Sequence, residues 1–213
     1  PAALLGAYTL GRYMGHAESL MMPVMLMFSM VSLVVMVARK EADYPSLSAT
    51  MFTMIYPGLM LSLIYPLLDL PDYGMSTLAL ILSMTIAFMG DIAAYCVGIR
   101  WGKHKLCPNI SPKKTVEGAV GGVIGGAVLV LIAALIMNST LKLGLPLWAA
   151  VVLGAVGAML GEIGDLSFSI IKRQTGIKDY GHIFPGHGGV LDRFDSVIFT
   201  APIIYFLSVL LIH

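Results

Sequence analysis

Residues 118–141 read GAVGGVIGGAVLVLIAALIMNSTL, and this stretch decides the fold class because it contains no charged residue. A helix needs about 20 consecutive apolar residues to cross the hydrocarbon core of a bilayer. The stretch is long enough, so it predicts a transmembrane helix. Gly118, Gly122 and Gly126 recur at every fourth position. Such a stripe of small residues lets membrane helices approach closely, and we interpret it as a packing surface.

The composition of the whole chain agrees with a membrane protein. Of 213 residues, 58% are hydrophobic and 12% are charged, and the mean hydropathy is +0.88. That charged fraction is about half the usual share in a soluble domain. Six stretches are apolar enough to span a bilayer or nearly so: 20–38, 46–68, 73–99, 118–141, 143–161 and 196–212. The second contains Pro57 and Pro66, where we predict kinks.

We therefore predict an all-α, polytopic integral membrane protein with about six transmembrane helices in this chain. The chain begins at Pro1 and not at Met, so we expect an N-terminal part to be missing. Residues 1–72 are interpreted as N-terminal membrane helices, and residues 73–213 as a second membrane domain. The latter would present loops 100–117 and 173–195 to the cytoplasm.

The distribution of positive charge gives the orientation. If the chain alternates sides, the loops after the first, third and fifth spans share a face. Of the 13 Lys and Arg residues, only Arg12 and Lys142 fall on the opposite face. Because cytoplasmic loops carry the excess of Lys and Arg, the basic face is predicted to be cytoplasmic. We expect a multi-pass protein of the cell (inner) membrane, with its basic loops facing the cytoplasm.

Acidic residues inside the spans point to a functional site. An aspartate at the centre of a membrane helix costs about 2.5–3.5 kcal/mol on insertion scales, so such residues are rare. Glu162, Asp165, Ser169 and Lys172 are spaced 3, 4 and 3 apart, which places them in one stripe on a helix. Asp91 lies in the third span. The alternative is a salt-bridge network that only holds helices together.

The loop after the third span contains ISPKKTVEG, residues 110–118. Thr115 is a plausible N-cap for the fourth span, and the amides of the first helical turn could then face an anion. Lys113 and Lys114 precede it directly. Lysines beside a helix N-terminus suit a phosphate group, although any basic cytoplasmic loop could look similar.

A second polar segment, KDYGHIFPGHGGVLDRFDS, occupies residues 178–196. Its glycines offer backbone amides that can approach a ligand closely. Asp192 and Asp195 follow at once, and Mg²⁺ is typically held by one or two carboxylates together with substrate phosphates. For His187 we prefer a hydrogen bond to phosphate over zinc ligation, because a zinc site needs more His or Cys ligands. No P-loop sequence is present.

Taken together, these segments resemble a known family. Ser169-x-x-Lys172-Arg173, then Lys178-Asp179-x-Gly181, then Phe184-Pro185-Gly186-His187-Gly188-Gly189 and Asp192-Arg193-x-Asp195 resemble the signature of the phosphatidate cytidylyltransferases, or CDP-diacylglycerol synthases. The upstream segments GDIAAYCVG and ISPKKTVEGAVGG are similar to other typical segments of that family. The resemblance covers about residues 90–196, and the first two spans are only generically similar. It therefore implies that residues 73–213 are a catalytic membrane domain, with the active site facing the cytoplasm.

The resemblance implies an activity and a set of site residues. CTP and phosphatidic acid would give CDP-diacylglycerol and pyrophosphate, with Mg²⁺ as cofactor and a second cation such as K⁺. It also implies an all-helical membrane fold and a homodimer; no nucleic-acid partner is expected. The implied catalytic residues are Asp165, Asp192, Lys172, Arg173 and Lys178. The implied substrate-binding residues are Ser111, Lys113, Lys114, Thr115, Ser169, His187, Gly188, Gly189 and Arg193. Asp165 and Asp192 are the implied metal ligands, and Asp91, Glu162 and Asp195 are further members of the acidic cluster.

Two other classes of function stay open at this point. A related nucleotidyltransferase or a polyprenol kinase could use another lipid, since acyl recognition depends on apolar surface. A cation-coupled transporter would also carry intramembrane acids, but such transporters often show internal repeats, and no convincing repeat is visible here.

Overall fold

The computed structural model describes residues 2–13, 21–39, 44–68, 73–142, 144, 146–177, 179–181, 189, 191–192 and 194–212. The described chain is almost entirely helical, as the sequence predicts. Its helices are α1 (Ala2–Tyr13), α2 (Met21–Arg39), α3 (Tyr44–Thr53), α4 (Met60–Ser62), α5 (Ile64–Leu68), α6 (Tyr73–Trp101), α7 (Val116–Leu141), α8 (Leu147–Gln174) and α9 (Val197–Ile212). Two short strands, β1 (Lys105–Cys107) and β2 (Ser111–Thr115), join α6 to α7.

Among the described residues, four helical segments are long and apolar enough to cross a membrane: Tyr44–Leu67, Ser76–Trp101, Val116–Thr140 and Leu147–Gln174. The same part of the chain contains two shorter apolar helical segments, Pro23–Ala38 and Val197–Phe206, which correspond to the first and last stretches of the sequence prediction. The predicted all-α, polytopic membrane fold is therefore confirmed.

The chain divides into two compact units, Pro1–Asp69 and Leu70–His213. In the first unit, Leu4 and Tyr8 of α1 are buried against partly buried side chains that include Val24 and Tyr65. The rings of Tyr8 and Tyr65 lie 6.4 Å apart and are stacked. The assignment of general membrane helices to the N-terminal part and of catalysis to the C-terminal part stays a prediction.

The kink predicted at Pro57 is present within the first unit. A π-helical segment, Met54–Leu59, separates α3 from α4, and Tyr56 has the non-helical angles φ −85° and ψ 127°. A proline disfavours the α conformation of the residue before it, which explains the break at Tyr56. A second break in the helix lies at Leu63, between the end of α4 and the start of α5, three residues before Pro66.

The second unit packs α6, α7, α8 and α9 together, with small residues at the crossings. A Cβ atom placed on Gly118 would lie 2.8 Å from the carbonyl oxygen of Ala94. One placed on Gly126 would lie 2.7 Å from the Cβ of Ala158. Both distances are too short for a side chain, so the glycine stripe on α7 is a packing surface, as predicted.

The hairpin between α6 and α7 is a feature that the sequence analysis did not anticipate. β1 and β2 are antiparallel, with Lys105 opposite Thr115 and Cys107 opposite Ser111. Thr115 then caps α7 as predicted, because its Oγ1 accepts a hydrogen bond from the Gly118 amide at 3.1 Å. The hairpin places Lys113 and Lys114 at the N-terminal end of α7.

Candidate active site

A cavity of about 610 Å³ lies in the second unit, where α6, α7 and α8 meet the hairpin. Its polar lining includes five carboxylates and three lysines, and its apolar lining comes mainly from α6 and α7. The lining residues are Asp91, Ala94, Tyr95, Gly98, Ile99, Lys105, Lys113, Lys114, Thr115, Gly118, Ala119, Glu162, Asp165, Asp192 and Asp195. Residues far apart in the sequence thus converge on one site.

Lys114 lies at the centre of the acidic group. Its Nζ is 2.7 Å from Oδ2 of Asp165 and 3.7 Å from Oε1 of Glu162. The spacing of three residues along α8 points both carboxylates toward the hairpin, as the predicted stripe requires. Burial alone would lower the pKa of Lys114, but the charges of Asp165, Glu162 and Asp91 raise it above its usual value. Lys114 is therefore held as an ammonium ion.

A second acidic contact joins α6 and α8 to the turn before α9. The Asp195 carboxyl lies within hydrogen-bonding reach of Asp165. Burial, followed by the like charge of Asp165, raises the pKa of Asp195 to about 7. Ser196 donates its hydroxyl to Oδ2 of Asp91 at 2.9 Å, which ties this turn to α6. Several carboxylates thus lie around the Lys114 ammonium.

Asp192 lies at the edge of the same cavity but is held by the chain itself. Its Oδ1 is 3.1 Å from Nζ of Lys172, and both side chains are largely buried. Its Oδ2 accepts hydrogen bonds from the amides of Tyr180 at 2.8 Å and Gly189 at 2.9 Å. Burial alone would raise the pKa of Asp192, but the bonds from Gly189, Lys172 and Tyr180 lower it. The Tyr180 ring also lies 5.7 Å from the Lys172 ammonium.

The carboxylates can be tested as a site for a hard cation. Among the residues that the structure describes, no group of three or more His, Cys, Asp or Glu side chains is arranged to hold a metal ion. However, Mg²⁺ needs only one or two carboxylates when substrate phosphates and water complete its shell. Oε2 of Glu162 is buried and has no hydrogen-bond partner within the described part of the chain. An orphaned carboxylate oxygen beside the Asp165–Asp195 contact fits a cation delivered with a phosphate.

The other predicted site residues occupy different places. Ser111 is half-buried on β2, and Ser169 is half-buried on α8, and neither is among the described cavity-lining residues. Arg173 is exposed, and its Nε donates to the carbonyl oxygen of Ile110 at 3.4 Å. Lys178, His187, Gly188 and Arg193 lie outside the described residues. The catalytic, binding and metal roles of all these residues stay predictions.

Sequence reasoning missed a cluster at the base of the hairpin. The Glu117 carboxylate accepts hydrogen bonds from the amides of Lys103 and His104 and lies 2.6 Å from Nδ1 of His104. The available signal was the Pro108–Asn109 pair between two short segments, because proline favours the first central position of a β-turn and asparagine is accepted at the second. A turn there would have suggested a hairpin and brought residues 103–104 close to α7.

Comparison with protein families identifies the kind of protein that carries this site. A model of the cytidylyltransferase family matches residues 2–211, which is nearly the whole chain. The chain belongs to the cytidylyltransferase family. The sequence resemblance to phosphatidate cytidylyltransferases is thereby confirmed at the level of the family.

Members of this family with curated names are similar over the same region. A phosphatidate cytidylyltransferase of Staphylococcus saprophyticus is 43% identical over 134 residues, covering 63% of this chain and 49% of that protein. One of Bacillus subtilis is 38% identical over 156 residues, covering 73% and 56%. One of Aquifex aeolicus is 37% identical over 168 residues, covering 79% and 60%. The chain thus spans about half the length of these relatives.

Proposed function

We propose that this chain carries the catalytic site of a phosphatidate cytidylyltransferase, which converts CTP and phosphatidic acid to CDP-diacylglycerol and pyrophosphate in phospholipid biosynthesis. The names of the similar proteins support this assignment. The observation that carries it is the cavity, where carboxylates and an apolar wall formed by membrane helices meet the lysines of the hairpin. Such a site can hold both a charged nucleotide and the head of a lipid.

The reaction is a nucleotidyl transfer. A phosphate oxygen of phosphatidic acid attacks the α-phosphorus of CTP and forms a new P–O bond. The bond to the bridging oxygen of the β-phosphate breaks, and pyrophosphate leaves with that electron pair. Because a phosphate monoester is already ionised near neutral pH, the attack needs no general base. Catalysis then consists of positioning two anions and offsetting their charge.

The lysines of the hairpin provide part of that positive charge. Lys113 is exposed at the cavity, and Lys114 is partly buried within it. Lys114 forms ion pairs with Asp165 and Glu162, so its ammonium is held in the cavity before a phosphate arrives. Lys172 is paired with Asp192 at the edge of the cavity. We assign Lys113 and Lys114 to phosphate binding and Lys172 to the orientation of Asp192.

The apolar wall offers a place for the lipid. Tyr95 and Ile99 of α6 line the cavity, and their side chains are 67% and 69% exposed. Both lie on a segment long and apolar enough to span the bilayer. A phosphatidic acid molecule could therefore keep its acyl chains in the membrane while its phosphate reaches the lysines.

The carboxylates provide the place for Mg²⁺. We assign Asp165 and Asp192 as ligands, and Glu162 and Asp195 as further acidic groups beside them. When bound there, Mg²⁺ supplies positive charge that offsets the phosphates and the departing pyrophosphate. A second cation such as K⁺ would be accommodated by the remaining carboxylates, among them Asp91.

The activity is tested by following two isotopic labels. The purified chain is incubated with Mg²⁺, phosphatidic acid vesicles and CTP labelled in either the α- or the γ-phosphate. We expect the α label in the lipid and the γ label in pyrophosphate. Transfer of the γ label to a lipid would indicate a kinase instead. No labelled lipid from either form, with the chain folded, would contradict the proposal for this chain.

The cation assignment has a test that does not depend on turnover. Titration calorimetry with Mg²⁺ alone should show weaker binding to Asp165→Asn than to the unchanged chain. The substitution keeps the size of the side chain and removes its charge. Lys142→Gln, at the opposite end of α7, serves as the control. Equal Mg²⁺ affinity in the chain and in Asp165→Asn would exclude Asp165 as a ligand.

The location and the assembly are further parts of the proposal. The positive charge of the loops supports an inner-membrane protein with the hairpin in the cytoplasm. The family resemblance supports a homodimer. The mass of the detergent-solubilised protein, measured by light scattering with the detergent contribution subtracted, would distinguish a dimer from a monomer.

A further inference from the structure

The hairpin formed by β1 and β2 depends on support from outside itself. It has only three and five residues in its two strands, and an isolated two-stranded hairpin is marginally stable at best. Yet it carries Lys114, whose Nζ lies 2.7 Å from Oδ2 of Asp165 on α8. Small displacements of the hairpin would therefore move a cation at the centre of the cavity.

Glu117 fixes the base of the hairpin. Its Oε2 accepts hydrogen bonds from the amides of Lys103 at 3.0 Å and His104 at 3.1 Å. Its Oε1 lies 2.6 Å from Nδ1 of His104. The Val116 amide also donates to the His104 carbonyl oxygen at 2.9 Å. One carboxylate at the start of α7 thus holds the segment through which the chain enters β1.

Glu117 is not among the described residues that line the cavity. Its contacts are directed at the backbone and at His104, whose side chain is 78% exposed. No step of the proposed reaction uses it. The hydrogen bonds are charge-assisted, and such bonds contribute more than neutral ones. Their strength explains how a short hairpin can be held at one end.

The turn of the hairpin has a second attachment. Nε of Arg173, in the last turn of α8, donates to the Ile110 carbonyl oxygen at 3.4 Å. Lys114 therefore lies on a strand that is held at its base by α7 and near its turn by α8. These two contacts restrain the strand whose Lys114 ammonium lies 2.7 Å from Asp165.

We propose that Glu117 is a positioning residue that acts through Lys114: it holds the hairpin so that the Lys114 ammonium stays in the cavity and can meet a substrate phosphate. Arg173 supports the same strand from the other end. The inference rests on the proposed function for its catalytic consequence, but the restraint on the hairpin is independent of the substrate.

A double-mutant cycle separates this role from a merely structural one. Glu117→Ala, Lys114→Met and the double variant are compared by kcat/KM for CTP. In the chain that keeps Lys114, Glu117→Ala should lower kcat/KM roughly tenfold or more, from the loss of charge-assisted hydrogen bonds. In the Lys114→Met background the same change should cost less than about threefold, because there is no ammonium left to misplace. Equal losses in both backgrounds would overturn the proposal.

Two further variants keep the cycle informative. Glu117→Gln retains an acceptor oxygen and the volume of the side chain, so it replaces Glu117→Ala if that variant does not fold, with the same non-additivity expected. Val120→Ala, on an exposed position of α7, is the control and should leave kcat/KM unchanged. Unchanged kcat/KM in both Glu117 variants would also exclude a positioning role for Glu117.

Limited trypsin digestion tests the restraint without any substrate. Cleavage after Lys105 and Lys113 requires the hairpin to detach locally. Both Glu117 variants should therefore be cut faster there than the unchanged chain, at equal rates elsewhere. If the chain shows no cytidylyltransferase activity but the variants are cut faster, the proposed function fails and the restraint stands. Unchanged cleavage would exclude the restraint itself.

Discussion

The ion pair between Lys172 and Asp192 is the contact whose disruption should reveal how the two polar segments are held together. Their side chains are 14% and 4% exposed, and the charged atoms lie 3.1 Å apart. We consider Lys172→Met, Asp192→Asn and the double variant. Met replaces most of the lysine stem, and Asn replaces the carboxylate with little change of volume.

The structure sets the expected magnitudes. Removal of one partner from a buried ion pair typically costs about 3–5 kcal/mol, because the other charge stays buried. In Lys172→Met the carboxylate keeps its two backbone amides, so we expect the lower end, about 3 kcal/mol. In Asp192→Asn the ammonium faces a neutral amide in place of the carboxylate and, among the described residues, keeps the Tyr180 ring at 5.7 Å, so we expect a larger loss of stability. The double variant removes both charges of this pair. Its free energy of unfolding should therefore fall by less than that of either single variant.

Thermal unfolding in detergent at a fixed scan rate provides the assay. For a chain of this size, each kcal/mol shifts the midpoint by roughly 2–4 °C, so Lys172→Met should unfold about 6–12 °C lower. Lys103→Met, at an exposed position, is the matched control and should shift the midpoint little. Additive shifts in the double variant, or unchanged midpoints in both single variants, would refute the reasoning.

Lys114→Met should lower kcat/KM for CTP more than Lys113→Met, because Asp165 holds the Lys114 ammonium in the cavity. Steady-state kinetics of the two variants would test this order, and equal losses of kcat/KM would contradict it. Gly126→Leu should lower the unfolding midpoint, since a Cβ there would lie 2.7 Å from the Cβ of Ala158, whereas Val128→Leu at an exposed position of the same helix should not. A cysteine at Asn109 should resist an impermeant thiol reagent in intact cells and react after permeabilisation; labelling without permeabilisation would reverse the proposed orientation.

The sequence alone was sufficient to predict the class of fold. Apolar stretches of about 20 residues have few stable alternatives to a helix in a bilayer, because every backbone polar group must find a partner within the segment. The small-residue stripe on α7, the kink at Pro57 and the N-cap at Thr115 are equally local properties. The stripe of Glu162 and Asp165 was predictable for the same reason, since helical periodicity alone places them together.

The hairpin and its attachments could not be read from the sequence in this way. Its strands are short and polar, so neither alternation nor apolar periodicity marked them, and the Pro108–Asn109 signal is weak by itself. The contacts of Glu117 with His104 depend on how α6 and α7 cross, which the spacing of residues along one helix does not specify.

The sequence by itself therefore determined that this is a helical membrane protein of the cytidylyltransferase family and which charged residues gather near one another along each helix. Only the tertiary structure decided the pairing among them. Lys114 binds the acids of α8, Lys172 binds Asp192, and Glu117 binds the backbone before β1. The physical reason is that an ion pair needs two charges within about 4 Å, and for segments far apart in sequence that distance is set by helix packing.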